Sequence, residues 1–530
     1  MLHVAFCLLS LADVDPESIG LAPDAFERHL PELLPRLIPM DELRRLFPSR
    51  EGSPTCCPLQ TLGMLALQFR YDLSERELDE RCRRDLGFRY ALGLGPGDEA
   101  PSERSRRRFR AKMVELKGDD FLLELSLRLA VADGFIDDVQ TQAVDSTNTN
   151  CRGAVIDTYN LVSAGIGQVV RTVARCMGKR PDELARSWDL APYMARGIKG
   201  AAGIDWDDQG QRNALLTQEI ADADRVVARV ADLDQQVKLP EQVREAVQLL
   251  AQVARQDVEQ LDDGSFRIAK GTAKGRIISI SDPEARHGRK SSSKVINGFK
   301  THVLGTIKSQ FVTGMAMTGA DIHDARPTVL LLEQAERYGV GPDEAVGDNA
   351  YGTGANLRAC KEIGVQMRTK QACSSSRGAL PKRDFAIDLD AMEVTCPAGQ
   401  TTTAYTTVLA ETGSEVRVSN FHFDKGTCQQ CELRMSCCSG TAKGGKRTIK
   451  LNPFERELQD NRAFAASERG RDLLRSRSSV ERLISHLVRM GMRHARFFTM
   501  AKVQFQAYMV AAAYNLQRLI TLKVASASRR

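Results

Sequence analysis

The chain has 530 residues, of which 42% are hydrophobic and 27% charged, and carries a formal net charge of +6. That composition excludes a disordered chain and a membrane-embedded bundle. The length exceeds what one core usually serves, so two to four domains or large insertions are expected. A mild positive excess is compatible with a nucleic-acid partner without demanding one. The opening MLHVAFCLLSL run is too short to span a bilayer and has no basic residue before it, which predicts neither signal peptide nor membrane helix and a cytoplasmic location. The 13 cysteines are odd in number and mostly scattered, as expected of reduced thiols rather than a disulfide framework.

In chain order, residues 1–133 read as a helical domain. Phe26, Leu30, Leu33, Leu34 and Leu37 recur at helical spacing, and Leu59, Leu62, Leu65 and Phe69 form one face of a second helix. Ser74 and Glu77 carry a capping-box signal. After a Gly/Pro loop, SERSRRRFRAKM supplies Arg104, Arg106, Arg107, Arg108 and Arg110. Such a basic helix after short helices fits DNA contact, and equally fits a solvated face.

Residues 134–178 begin a second unit. FIDDVQTQAVDSTNT predicts two short strands or one bent one, with Asp145 following Val144, and a helix covers 157–177. Asp137 and Asp138 are rival carboxylates at a turn. Residues 179–272 read as a helical insertion, with Val226, Val227, Val230 and later Val243, Val247, Leu250, Val253 and Val258 on apolar stripes. Alternation returns in 273–372: RIISISD, VINGFKTHVLGT and SQFVTGMAMTGAD predict three strands, Asp324 opens a helix, and VQMRTK is a last short strand. Residues 373–450 are a Cys-rich β insertion, and 451–530 are helical.

Within the second unit, AVGDNAYGTGANLRAC places Asp348 at the end of a strand, with a Gly-rich turn and a helix beginning near Ala355. That is a favoured address for active sites in α/β folds. With Asp145 upstream and Glu481 in RSSVERLISHL downstream, three carboxylates on ordered elements make a candidate metal site. The element order describes a five-stranded mixed sheet interrupted twice, an α/β ribonuclease-H-like core preceded by an all-helical domain. Phosphodiester chemistry in such cores uses divalent ions held by carboxylates, Mg²⁺ or Mn²⁺. Lys300 and His302 in GFKTH, with Arg477, Arg482 and Arg489 around Glu481, are candidates to hold phosphates. Cys396, Cys428, Cys431 and Cys437 offer four thiolates for Zn²⁺, with Cys438 an alternative and His422 a lesser candidate. The competing reading is a set of unliganded thiols.

The motifs AVDSTNT, SDPEAR, GFKTH, GADIHDA, GDNAYGT, RSSVERLISHL and NLQRL, in this order from about residue 55 to 522, resemble a bacterial insertion-sequence transposase of the DDE class. The resemblance implies a triad of Asp145, Asp348 and Glu481 and metal-dependent cleavage and strand transfer. It also implies double-stranded DNA as partner, at transposon ends and target, and a homodimer acting on DNA at the nucleoid. Similar transposases carry a Cys cluster in the same place, which implies structural zinc. The family's late helix often has Tyr and Lys where this chain has Leu474 and Val488. Alternatives are a catalytically silent DNA-binding regulator, for which the carboxylates would be superfluous, and a nuclease without strand transfer.

Overall fold

A computed structural model describes residues 14–38, 57–95, 97–136, 139–195, 197–289, 295–370, 380–409, 416–438 and 445–529. Asp137 and Asp138 lie outside the described residues, as does the whole N-terminal apolar run.

The first unit contains helices α1 (Phe26–Leu37), α2 (Pro58–Arg70), α3 (Glu75–Arg84), α4 (Leu86–Ala91), α5 (Glu103–Lys117) and α6 (Phe121–Ala132). The capping box at α3 forms as expected: Glu77 N–H donates to Ser74 Oγ at 3.2 Å, and Ser74 N–H donates to Glu77 Oε2 at 2.8 Å. Helix α2 departs from its amphipathic reading. Every residue from Pro58 to Phe69 is buried, because the helix is surrounded by α1, α5 and the C-terminal helix.

The second unit is built on β1 (Thr141–Asn150), one continuous strand. Then come α7 (Thr158–Cys176), α8 (Gln209–Gln236), α9 (Glu241–Val253) and a short hairpin, β2 (Val258–Gln260) with β3 (Phe266–Ile268). Val258 is therefore on a strand rather than a helix. The apolar face of α7 joins α8 and α9 in a separate hydrophobic core, so the insertion begins at α7 rather than after residue 178. RIISISD does not form a strand; Ile277 makes only an isolated bridge to Arg286.

The sheet continues with β4 (Arg286–Arg289), β5 (Val295–Thr306), β6 (Val312–Gly319), α10 (Thr328–Arg337), β7 (Glu344–Gly347), α11 (Gly354–Glu362) and β8 (Gln366–Thr369). Strand β1 lies antiparallel to β5 and parallel to β7, which is parallel to β8. Strand β6 is antiparallel to β5. Gly298 pairs with Asn150 on one side and Arg286 on the other, so β4 extends the edge that β6 occupies. The order β6-β5-β1-β7-β8 is the expected mixed five-stranded, ribonuclease-H-like sheet, with β4 added at one edge.

The Cys-rich insertion holds two small antiparallel sheets. One is β9 (Ala386–Asp388), β10 (Glu393–Thr395) and β11 (Thr401–Thr402); the other is β12 (Tyr405–Leu409), β13 (Arg417–His422) and β14 (Thr448–Lys450). The chain closes with α12 (Glu455–Ala466), α13 (Glu468–Ser476), α14 (Ser478–Leu487) and α15 (Met500–Ala527).

An exposed sheet edge presents unpaired N–H and C=O groups, which proteins must cover. Here each edge receives an asparagine amide from the C-terminal helices, which covers one residue of it. Asn515 on α15 accepts from Val312 N–H and donates to Val312 C=O, both at 2.9 Å. Asn461 on α12 does the same for Thr369, at 3.1 and 2.9 Å. Each amide supplies one donor and one acceptor, the pair that a missing strand would have offered. One hydrophobic core runs from Phe26 of α1 through the sheet to Ile520 of α15, so the helical unit and the sheet are packed as one body.

Candidate active site

Two of the three carboxylates are set side by side by strand pairing. Ala143 of β1 is in register with Val346 of the parallel β7, and two residues beyond each stand Asp145 and Asp348. Asp348 caps the turn that follows, accepting from Ala350 N–H at 2.8 Å; the turn-capping role and the site role coexist. Asp145 accepts from Ser146 N–H at 2.8 Å.

Helix α14 brings the third. Val480, Leu483 and Leu487 are buried against the sheet, and Leu483 packs over Gly305, where a Cβ would lie 2.4 Å from its Cδ1. This leaves Glu481 at the margin of the helix, exposed. Arg477, one turn earlier, reaches both sides: its Nη1 is 3.2 Å from Asp145 Oδ2 and its Nη2 is 2.6 Å from Glu481 Oε1.

Burial pushes the Asp145 carboxyl up to about 6, with the Asp348 and Glu481 charges adding to the rise and the Ser146 N–H and Arg477 opposing it. Burial and mutual repulsion of this kind disfavour the charged carboxylate, and a neighbouring cation would relieve both. Tyr351, missed in the sequence reading, is wholly buried beneath the turn, and burial together with the charges of Asp145, Asp324 and Asp348 holds its hydroxyl protonated. Its place inside GDNAYGT was visible, but its burial was not.

Lys300 and His302 do not join this face. They pair with Asn148 and Ser146 across the β1–β5 ladder, and residues of odd separation along a strand point to opposite faces. Lys300 forms an ion pair with Asp324 at 2.8 Å. His302 is completely buried, with Nε2 2.9 Å from Thr318 Oγ1, and burial lowers its pKa to about 4. A buried neutral imidazole does not hold phosphate, so His302 is corrected to an internal residue. Asp324 likewise serves Lys300 rather than starting a helix; α10 begins at Thr328.

Among the arginines, Arg482 and Arg489 are exposed. Arg489 lies past the end of α14, in a π-helical segment at Val488–Met492 that turns at Gly491 with φ of 91°, so it does not share a regular helical face with Glu481. Arg469, Arg471 and Arg475 on α13 are also exposed; the stretch ERGRDLLRSR carried that signal. In α5, Arg104, Arg107 and Arg108 are exposed. Arg110 is half-buried against the rings of Phe497 and Phe505. Arg106 is corrected outright: it is 2% exposed and ion-paired to Glu75 at 2.7 Å and Asp79 at 2.6 Å. It ties α5 to α3 and is not available to DNA.

In the Cys-rich insertion, Cys396, Cys428, Cys431, Cys437 and Cys438 line one cavity of about 70 Å³ together with Phe423, Arg434 and Arg447. His422 is not among the lining residues and instead meets Thr406 at 2.8 Å and Thr448 at 3.3 Å. Burial and the neighbouring Cys438 push the Cys437 thiol up to about 11. Hard carboxylate oxygens suit Mg²⁺ or Mn²⁺ and soft thiolates suit Zn²⁺; both donor sets fit by type. Among the described residues, no three His, Cys, Asp or Glu side chains are drawn together closely enough to ligate one ion.

Two family models match the chain: "Transposase domain (DUF772)" over residues 20–112 and "Transposase DDE domain" over residues 395–520. The first covers α1 to α5; the second takes in the thiol cavity, Glu481 and Asn515 and stops short of Asp145 and Asp348. No curated protein matches the chain. Among the described residues no helix is long and apolar enough to cross a membrane. Transposase family models on both sides of a ribonuclease-H-like sheet support an insertion-sequence transposase of the DDE class.

Proposed function

We propose that the protein cleaves DNA at the ends of its insertion sequence and transfers the strands, using Asp145, Asp348 and Glu481 to hold divalent ions. The observation that carries the reading is the side-by-side seat of Asp145 and Asp348 on paired parallel strands, with Glu481 linked to Asp145 through Arg477. Bound there, Mg²⁺ or Mn²⁺ supplies an activated attacking oxygen and shares the charge of the leaving oxygen.

The chain's own residues do the remaining work. Asp348 is oriented by its turn and Asp145 by its strand, so neither carboxylate needs to be ordered when a cation arrives. The exposed arginines Arg471, Arg475, Arg482 and Arg489 flank Glu481 and suit the grip of a DNA backbone near the reacting phosphate. Arg104, Arg107 and Arg108 present a second basic surface, suited to the transposon end. The thiol cavity reads as a structural zinc site, with Cys396, Cys428 and Cys431 joined by Cys437 or Cys438.

The test is incubation of the purified chain with DNA carrying the sequences that flank its gene. The expected result is nicking and strand joining at those flanks in Mg²⁺ or Mn²⁺, and none in EDTA. Cleavage that persists in EDTA, or that ignores the flanking sequence, would overturn the proposal.

A further inference from the structure

Arg477 occupies the space between two carboxylates that the reading above assigns to a metal ion. It stands at the junction of α13 and α14, where its fork reaches Asp145 Oδ2 at 3.2 Å and Glu481 Oε1 at 2.6 Å. The guanidinium is 28% exposed and Asp145 only 19% exposed, so the contact is partly shielded from water. Across the sheet, Lys300 is spoken for by Asp324 and cannot take over. Among the described residues no group of three ligating side chains has closed up around a common point. An ion bridging Asp145 and Glu481 competes with Arg477, which holds one oxygen of each.

We infer that Arg477 is a resident counter-ion, which neutralises the carboxylates while the site holds no metal and is displaced when a divalent cation enters. This rests on the assignment of the carboxylates as metal ligands and adds a competitor to it. A planar fork with donors on two sides can bridge two carboxylates at once, which the single ammonium of a lysine cannot do. Once displaced, the guanidinium remains at the mouth of the site with its donors free for an anionic group.

The experiment measures Mn²⁺ binding to the full chain without DNA, by the free-ion electron paramagnetic resonance signal at pH 8 and low salt. Competing ion pairs of this exposure are each worth a factor of a few, so the Arg477→Gln protein should bind Mn²⁺ about tenfold more tightly than the parent. Arg477→Lys, which keeps the charge but loses the bridge, should fall between the two. Mn²⁺ should also raise the melting temperature of Arg477→Gln by more than that of the parent. Equal or weaker Mn²⁺ binding by both Arg477 variants, with binding still abolished by Asp348→Asn, would overturn the counter-ion role alone. Binding that Asp348→Asn leaves unchanged would instead overturn the metal-site assignment, and this inference with it.

Discussion

The carboxylate centre and the thiol cavity both gather metal-seeking side chains, yet they are built in opposite ways. The carboxylates come from three distant segments, each rooted in the hydrophobic core that joins the sheet to the helical unit. The thiols come from one compact stretch, on loops and short helices of a module whose packed core, among the described residues, is the small cluster of Phe385, Val394, Phe421, Phe423, Ile449 and Leu451. A large core sets geometry before any ligand arrives. A core of six side chains buries far less apolar surface, and small cores of this kind gain most from a cross-link or a metal. Ligand removal should therefore silence the first site without unfolding it, and unfold the second.

The largest effect is expected at the carboxylates. Asp348→Asn keeps the turn-capping oxygen but loses the charge. Cleavage of flanking DNA should fall by at least roughly a thousandfold, while the melting temperature stays within a few degrees. Unfolding of that variant would break the contrast, because it would make the site structural.

Next in size is the thiol module. A Cys428→Ser, Cys431→Ser double variant, or chelation of the parent, should expose residues 386–450 to limited proteolysis while the sheet resists. The purified chain should carry about one equivalent of zinc. A metal-free preparation with the same protease resistance would show that the small core suffices alone.

The same division between core and surface can be tested inside one helix. Arg106→Ala leaves Glu75 and Asp79 without their buried partner and should cost about 2–4 kcal/mol of stability, read by chemical denaturation. An Arg107→Ala, Arg108→Ala double variant should leave stability nearly unchanged while weakening end binding and lowering its salt dependence. Unchanged end binding and salt dependence in the double variant would mean that Arg107 and Arg108 are only a solvated face.

The smallest expected effect concerns the strain of gathering charge. The folded Asp145 carboxyl titrates near 6, above its ordinary 3.8. A raised carboxyl favours the folded state fully only below the unfolded value, and that contribution is lost as pH climbs through 6. Without metal, the parent should lose stability between about pH 4 and 6, and Asp145→Asn should flatten that slope and gain stability at pH 7. Mn²⁺ binding should tighten over the same interval, since the ion competes with a proton. A slope unchanged by Asp145→Asn would remove Asp145 as its source.

The chain's local chemistry was legible without its structure. Strand alternation and Gly-rich turns placed Asp145 and Asp348, the Ser74–Glu77 spacing announced a cap that forms, and the clustering of cysteines announced the cavity. These are signals carried by neighbours within a few residues, and local rules read them directly. Which way a side chain faces was a different matter. Lys300 and His302 lie in the strand beside Asp145, but the ladder register puts them on the other side of the sheet. Arg106 looks like its neighbours until α3 supplies Glu75 and Asp79. The α7 helix has an ordinary apolar stripe, and only the presence of α8 and α9 decides that it belongs to the insertion. Arg477 becomes a bridge because β1 carries Asp145 to α14 across most of the chain. Residue types and local spacing determined which groups the protein can deploy. Strand register and the packing of distant helices decided which of them meet, because burial and charge pairing depend on partners that no local window contains.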